Sequence, residues 1–322
     1  MITVAIGPQA RRPSWNWVGF DLARELAKYF KIRVYESTIP RCDVAIAVKM
    51  LPPQAESLTT TKVIYLPIDQ YERPADIKAE AAILGNCAAI GCHSEPLMAH
   101  FLPYCKNVFF VNHHAKYSLP HPSPFKERGF VLWVGAFQHV PYLLKWCDMH
   151  PLGTELRILT DLNFKPANHD CGKLADRLHV RLNFTPAELN GHRVYQWTER
   201  CQLELMMEAK AAIDLKGGHW LGEEDWWQRT KPPTKGQKFV TSGIPFATNS
   251  DSYCFEYFKN LGLNLASPDD PARWLSYEYW DETSRLAAIL RPELSLDAVG
   301  SYFKSVIESV LECSAAGERV AT

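Results

Sequence analysis

The sequence predicts an α/β fold in two domains, and three observations carry that reading. Short apolar runs ending in a polar residue recur along the chain, among them Asp43–Lys49, Val63–Asp69 and Val108–His114. That is the pattern of parallel strands buried on both faces, with function at their carboxyl ends. Stretches of helical period lie between the runs, so the order is strand, helix, strand, the unit of a parallel sheet. Finally, 322 residues, 47% hydrophobic and 22% charged, are long for one core and ordinary for two globular domains.

Taken in order, Val4–Pro8 is the first strand, followed by a polar loop from Arg11 to Gly19 and a periodic stretch from Phe20 to Phe30 with Leu22, Leu26 and Phe30 on one face. Ile32–Tyr35 is the next strand. Asp43–Lys49, Val63–Asp69, Ala88–Cys92 and Val108–His114 follow as further strands. Their carboxyl ends present Lys49, Asp69, His93 and His114, where open α/β sheets bind ligands. The Gly-rich dinucleotide fingerprint is missing, so a nicotinamide site finds little support.

Tyr117–Pro124 contains Pro120, Pro122 and Pro124 in a polar setting that can continue neither sheet nor helix. It is the linker, and the domains are placed at 1–120 and 121–295, with an amphipathic C-terminal helix over 296–322. The second domain opens with Phe130–Phe137, in which Gly135 lets a phosphate or sugar approach the backbone. Glu155–Asp161 and His179–Phe184 are its next strands. Thr198–Lys210 is helical, with Leu203, Leu205, Met206 and Met207 offering a core face.

The densest signal is Lys231-Pro232-Pro233-Thr234-Lys235-Gly236-Gln237-Lys238, running into Ser242-Gly243-Ile244-Pro245-Phe246-Ala247. Pro232 and Pro233 suit a first helical turn, Thr234 can cap it, and free amides with the helix dipole favour a phosphate there. Lys235 and Lys238 fall on one face. Bunched lysines are usually a solvated surface, but these lie between the apolar runs Ala211–Leu215 and Ile244–Thr248, which places them at a sheet edge.

With that motif and this order of elements, the chain resembles the glycosyltransferases of GT-B architecture, in which two Rossmann-like domains with parallel sheets face each other across a cleft. The resemblance spans most of the chain. It implies a nucleotide-sugar donor on the second domain, in contact with Lys231, Thr234, Lys235, Gly135 and Phe184, and Arg229 in reserve. It also implies that the first loop, with Trp15, and Lys49 line the substrate side, and that the last helix packs back on the first domain. Thr230 and Lys238 stand where many retaining members carry a spaced pair of glutamates. The carboxylate contact to the donor ribose is therefore not inherited, and the stereochemistry stays open.

Lysines and helix amides at the leaving phosphate make a divalent metal unnecessary, and no Asp-x-Asp cluster is present to hold one. No cofactor beyond the donor is expected. Asp69 is the preferred general base, with His114 its rival; the bland alternatives are a turn-capping aspartate and a structural histidine. Trp220, Trp226 and Trp227 among Glu223, Glu224 and Asp225 read as a substrate-facing loop, with Trp220 and Glu223 as contacts, or else as a cluster that pins the loop to the sheet. Cys87, Cys92, His93 and Cys105 lack zinc spacing, and no G-x-S-x-G is present.

Nine cysteines without paired spacing and no signal peptide point to a reducing cytoplasm. No apolar run is long enough to span a bilayer, and a peripheral membrane contact is compatible with that. A net charge of -1 argues against a nucleic-acid partner. The partners implied are a nucleotide sugar and a glycan, lipid-linked or small-molecule acceptor. Two other readings stand beside transfer: an epimerase-like enzyme of the same architecture, and a catalytically silent sugar- or nucleotide-binding partner protein.

Overall fold

The structure is a computed structural model of the chain, and it describes residues 1–10, 14–52, 61–162, 186–215, 226 and 229–318. The chain divides into two compact units. Unit 1 takes Met1–His114, Asp225–Pro232 and Pro292–Thr322, and unit 2 takes Ala115–Glu224 and Pro233–Arg291.

Unit 1 is built on six parallel strands, β1 (Thr3–Gly7), β2 (Lys31–Val34), β3 (Val44–Val48), β4 (Lys62–Leu66), β5 (Ala89–Cys92) and β6 (Val108–Phe110), in the order β2-β1-β3-β4-β5-β6. Successive residues of a strand point to opposite faces. Accordingly, Val4, Ile6, Val44, Ile46 and Ile64 feed one core, and Ala5, Ala45, Ala47, Val63 and Tyr65 feed the other. The first core is covered by Leu22 and Leu26 of the helix Asp21–Leu26 and by Val299, Phe303 and Ile307 of the helix Leu296–Glu318. Ile77, Leu84, Leu97 and Phe101 cover the second from three short helices.

Two local features of unit 1 differ from the sequence reading. The first helix begins early, as a wide turn over Trp15–Phe20 that continues into Asp21–Leu26. Gly19 permits this, because a Cβ there would lie 2.2 Å from the Trp15 ring, which folds back over the bare backbone and is buried. Trp226 is a core residue of unit 1 and not a substrate-facing indole. Its Nε1 donates to the Tyr71 carbonyl at 3.0 Å, and its ring lies 4.7 Å from that of His100.

Unit 2 contains β7 (Val131–Val134), β8 (Leu156–Thr160), β9 (Ala187–Leu189), β10 (His192–Gln196), β11 (Ala211–Asp214) and β12 (Phe246–Thr248), in the order β12-β11-β7-β8-β10-β9. All pairings are parallel except β9 with β10. That hairpin turns on Asn190-Gly191, with φ of 48° and 77°, the left-handed pair that a two-residue hairpin requires. The proline-rich segment is fastened to unit 2. Leu119 N donates to Ser242 Oγ at 3.0 Å, Ser123 N to Ser242 O at 2.7 Å, and Arg291 to the carbonyls of Leu119 and Thr241 at 3.0 and 2.9 Å.

Among the described residues no helix is long and apolar enough to cross a membrane. The described cysteines are free thiols.

Candidate functional site

In a doubly wound sheet the ligand crevice opens where successive connections leave in opposite directions, at the carboxyl ends of the strands. In unit 1 the chain passes from β1 to β2 on one side and returns to β3 on the other, so the switch lies between β1 and β3. A pocket there is lined by Pro8, Ser14, Trp15, Val48, Lys49 and Met50. Trp15 and Lys49 are thus brought together. Lys49 has φ 68°, its N–H donates to the Leu66 carbonyl at 2.8 Å, and its carbonyl accepts from Tyr65 Oη at 2.9 Å. Those two bonds fix a backbone conformation rare for a residue with a side chain.

In unit 2 the connection from β7 goes to β8 on one side, and β11 returns on the other. The switch edge therefore carries Gly135, just past β7, and Asp214, the last residue of β11. Asp214 is buried, and Lys235 Nζ lies 2.7 Å from its Oδ1 and 5.6 Å from the centre of the Trp133 ring. Lys235 belongs to the helix Thr234–Thr241, whose first turn meets no side-chain cap. Thr234 is the first helical residue, not the cap; Pro233 holds that position, and no side chain caps the first-turn amides, which have no partner within the helix.

Gly135 serves a different purpose from the one its sequence context suggests. A Cβ at this position would lie 2.3 Å from the Trp133 indole, so the space beside the glycine is filled by the protein's own ring and not by a phosphate or sugar. Lys231 lies in the segment that joins unit 1, whereas Thr234 and Lys235 belong to unit 2. Phe184, Trp220 and Glu223 lie outside the described residues, as does the strand expected over His179–Phe184.

Lys238 was not among the sequence-predicted site residues. It is buried one turn along from Lys235, and its Nζ donates to Gln202 Oε1 at 3.2 Å. Burial first, then the charge of Lys235, pushes its ammonium down to about 7, against the opposing pull of Asp214. The i, i+3 spacing puts both lysines on one face, but nothing in the sequence marks that face as buried.

At the ends of β4 to β6 the histidines gather. A second pocket is lined by Pro67, Asp69, Tyr71, His93, Leu97 and Thr230, with Asp69 at φ 45°. His93 Nε2 donates to the Thr230 carbonyl at 3.0 Å, and Ser94 Oγ donates to the same oxygen at 3.0 Å. A carbonyl only accepts, so the proton is on Nε2 and the lone pair on Nδ1. His93 Nδ1 and His113 Nε2 are buried without a hydrogen-bond partner, and the two rings are 5.6 Å apart. His114 Nε2 lies 3.1 Å from Asp21 Oδ2. The structure therefore sets His93, not His114, beside Asp69. Among the described residues no group of three or more His, Cys, Asp or Glu is arranged to hold a metal ion.

Burial pushes His93 below the ordinary histidine value of 6.5, against the pull of Asp69. Burial, helped by His93 and His114, pushes His113 well below it. Both imidazoles are neutral in the folded unit and charge in the unfolded chain, so the unfolded state binds more protons as the medium acidifies. Their contribution to stability is full above the unfolded value of 6.5 and is lost as pH falls below it. Thermal unfolding is expected to move to lower temperature on acidification, and His113→Gln to weaken that dependence. An acid profile identical in the variant would place the loss elsewhere.

No family model matches the chain, and no curated protein matches it in sequence. Solved structures match in fold. AviGT4, a glycosyltransferase involved in avilamycin A biosynthesis, aligns over 97% of this chain and 98% of its own, with a TM-score of 0.57 and 14% identity. The DNA-modifying enzyme β-glucosyltransferase, solved in the presence and absence of its substrate uridine diphosphoglucose, aligns over 96% of this chain and 100% of its own, at 0.54 and 11%. The GtfA/B complex aligns over 84% of this chain at 0.52 and 12%, and the chain spans only 57% of that relative's length. At these identities the likeness is one of fold, two Rossmann-like units of the GT-B architecture.

Proposed function

We propose that the chain is a glycosyltransferase, moving a sugar from a nucleotide-sugar donor bound by unit 2 to a hydroxyl of a glycan, lipid-linked or small-molecule acceptor bound by unit 1. The observation that carries this reading is the switch edge of unit 2. There a helix without a side-chain cap delivers Lys235 to the end of β11, on a fold shared with glycosyltransferases. In the reaction the bond from the anomeric carbon to the phosphate oxygen breaks, a bond to the acceptor oxygen forms, and the hydroxyl proton passes to a base. Negative charge grows on the leaving phosphate, so fixed cations and helix amides stabilise the transition state more than the ground state. Lysines in that role make the reaction independent of a divalent metal.

The acceptor side is assigned to the pocket of Trp15 and Lys49, which among the described residues offers apolar walls and the Lys49 cation to a ring with a polar edge. Asp69 is assigned as the base. The test is to incubate the full-length protein with UDP-, GDP- and CMP-sugars in EDTA and follow nucleotide release and thermal stabilisation. One nucleotide class is expected to raise the unfolding temperature and to be released on turnover. Loss of turnover on chelation would refute metal independence.

A silent binding partner is the second reading. The pairing of Lys235 with Asp214 favours it, because the ion pair lowers the net positive charge offered to a donor. Stabilisation by nucleotide without any release identifies that case.

A further inference from the structure

Among the described residues of unit 2, buried donors near the switch edge are left without acceptors. Gln202 is buried, and its Oε1 accepts from both Lys238 Nζ at 3.2 Å and Trp197 Nε1 at 3.1 Å. Both neighbours are donors, so the shared atom must be the carbonyl oxygen, and the amide nitrogen is left over. Gln202 Nε2 is indeed buried without a partner, and so are Trp133 Nε1 and Thr160 Oγ1. Trp133 lies in β7 under Lys235, and Thr160 ends β8, the strand next to it.

Lys238 stands in the middle of this imbalance. The charged groups that face it are Lys235 from its own helix and Asp214 from β11, while the helix Glu199–Glu208 presents the neutral Gln202. Asp214 already holds Lys235 at 2.7 Å. An ammonium at Lys238 thus has a neutral amide oxygen as its near partner, and a buried charge without a counter-ion is costly. Buried donors without acceptors are costly too. An oxyanion with several acceptor oxygens meets the ammonium of Lys238 and the free amide nitrogen of Gln202 together.

We propose that Lys238 and Gln202 form a buried oxyanion subsite beside the Lys235–Asp214 pair, which takes a phosphate group on the ammonium form of the lysine. The subsite deepens the donor assignment and rests on the same sheet edge, but it does not require turnover. Because the ammonium of Lys238 is pushed down to about 7 by burial, the free protein near neutrality holds a mixture of amine and ammonium, and only the ammonium binds. Binding weakens as pH rises through that value.

The test uses sulfate, whose charge is constant across neutral pH, at fixed ionic strength with sodium chloride as the control. Its apparent affinity is read from the sulfate dependence of the unfolding temperature. In the wild-type chain the affinity is expected to fall about tenfold from about pH 6 to pH 8. Lys238→Met removes the cation and is expected to flatten this dependence and weaken binding, while keeping or raising thermal stability. Gln202→Glu supplies a built-in counter-ion and is expected to abolish the sulfate response even if the methionine variant folds poorly. A pH-independent sulfate response in the wild type overturns the proposal, as does a wild-type response in Gln202→Glu. A chain that shows the pH-linked response but never releases nucleotide keeps the subsite and loses the transferase reading.

Discussion

Lys235→Ala is expected to abolish measurable donor binding and, at the same time, to lower the stability of unit 2. A charge-assisted bond from an ammonium to a phosphate oxygen contributes roughly 1.5 to 3 kcal/mol, or about one to two orders of magnitude in affinity. The loss is larger here because the substitution also unmasks Asp214, whose carboxylate then repels the incoming phosphate. Lys235 read from sequence alone is a solvent-facing cation whose removal leaves the fold untouched. The structure corrects this, since the lysine is two-thirds covered and is the ion-pair partner of a carboxylate only 5% exposed. Removing one member of such a pair costs about 2 kcal/mol, between the exposed and fully buried limits.

The two effects separate in a double-mutant cycle. Asp214→Asn combined with Lys235→Ala is expected to recover most of the lost stability, because no uncompensated carboxylate stays behind, yet not to recover nucleotide affinity. Calorimetry with the best nucleotide from the screen, alongside thermal unfolding, reads both quantities. Unchanged affinity in Lys235→Ala would remove the lysine from the donor site altogether.

The parts of the fold that were legible in the sequence share one physical cause. Strands such as Val44–Val48 and Val131–Val134 are buried on both faces, so they appear as uninterrupted apolar runs whatever surrounds them. The polar residues just past such strands were legible for the same reason, as with Lys49 after Val44–Val48 and Asp69 beyond Lys62–Leu66, whereas Asp214 lies inside the apolar run Ala211–Leu215 and carried no such mark. The hairpin at Asn190-Gly191 carries a strong two-residue turn signal, but one of its flanking strands is only three residues long, too short to mark it.

What could not be read depends on contacts between distant segments. Lys238 on a helix with two other lysines nearby has the signature of a solvated face, and only the packing of the helix Glu199–Glu208 against it turns that face inward. Trp226 sits in an acidic, glycine-flanked stretch that suggests a ligand loop, but its indole fills the core of unit 1. The wide first turn at Trp15–Phe20 exists because a ring lies where the Cβ of residue 19 would be. Gly135 has the same cause, with Trp133 in the space a ligand was expected to use. Composition carries none of these pairings.

Asp69→Asn is expected to lower kcat by about 100-fold to 10,000-fold, with little change in the KM for donor. The substitution keeps the shape of the side chain and removes its capacity to take a proton, so a purely turn-capping aspartate, replaced by an equally good capping residue, leaves kcat near normal. Position favours Asp69 over His114. Asp69 lines a pocket with His93, while His114 Nε2 is engaged by Asp21 at 3.1 Å and its carbonyl by Trp17 Nε1 at 2.9 Å. His114→Asn is accordingly expected to reduce thermal stability more than turnover. His93 stands between the two cases. Its Nδ1 lone pair meets no donor, and its ring is held by the Thr230 carbonyl, so it can accept from a second, non-reacting hydroxyl of the acceptor while Asp69 takes the proton of the reacting one. His93→Gln is then expected to raise the KM for acceptor more than it lowers kcat, with the pH profile of kcat unchanged. A shift of that profile in His93→Gln, together with near-normal kcat in Asp69→Asn, would transfer the role of base from the carboxylate to the imidazole.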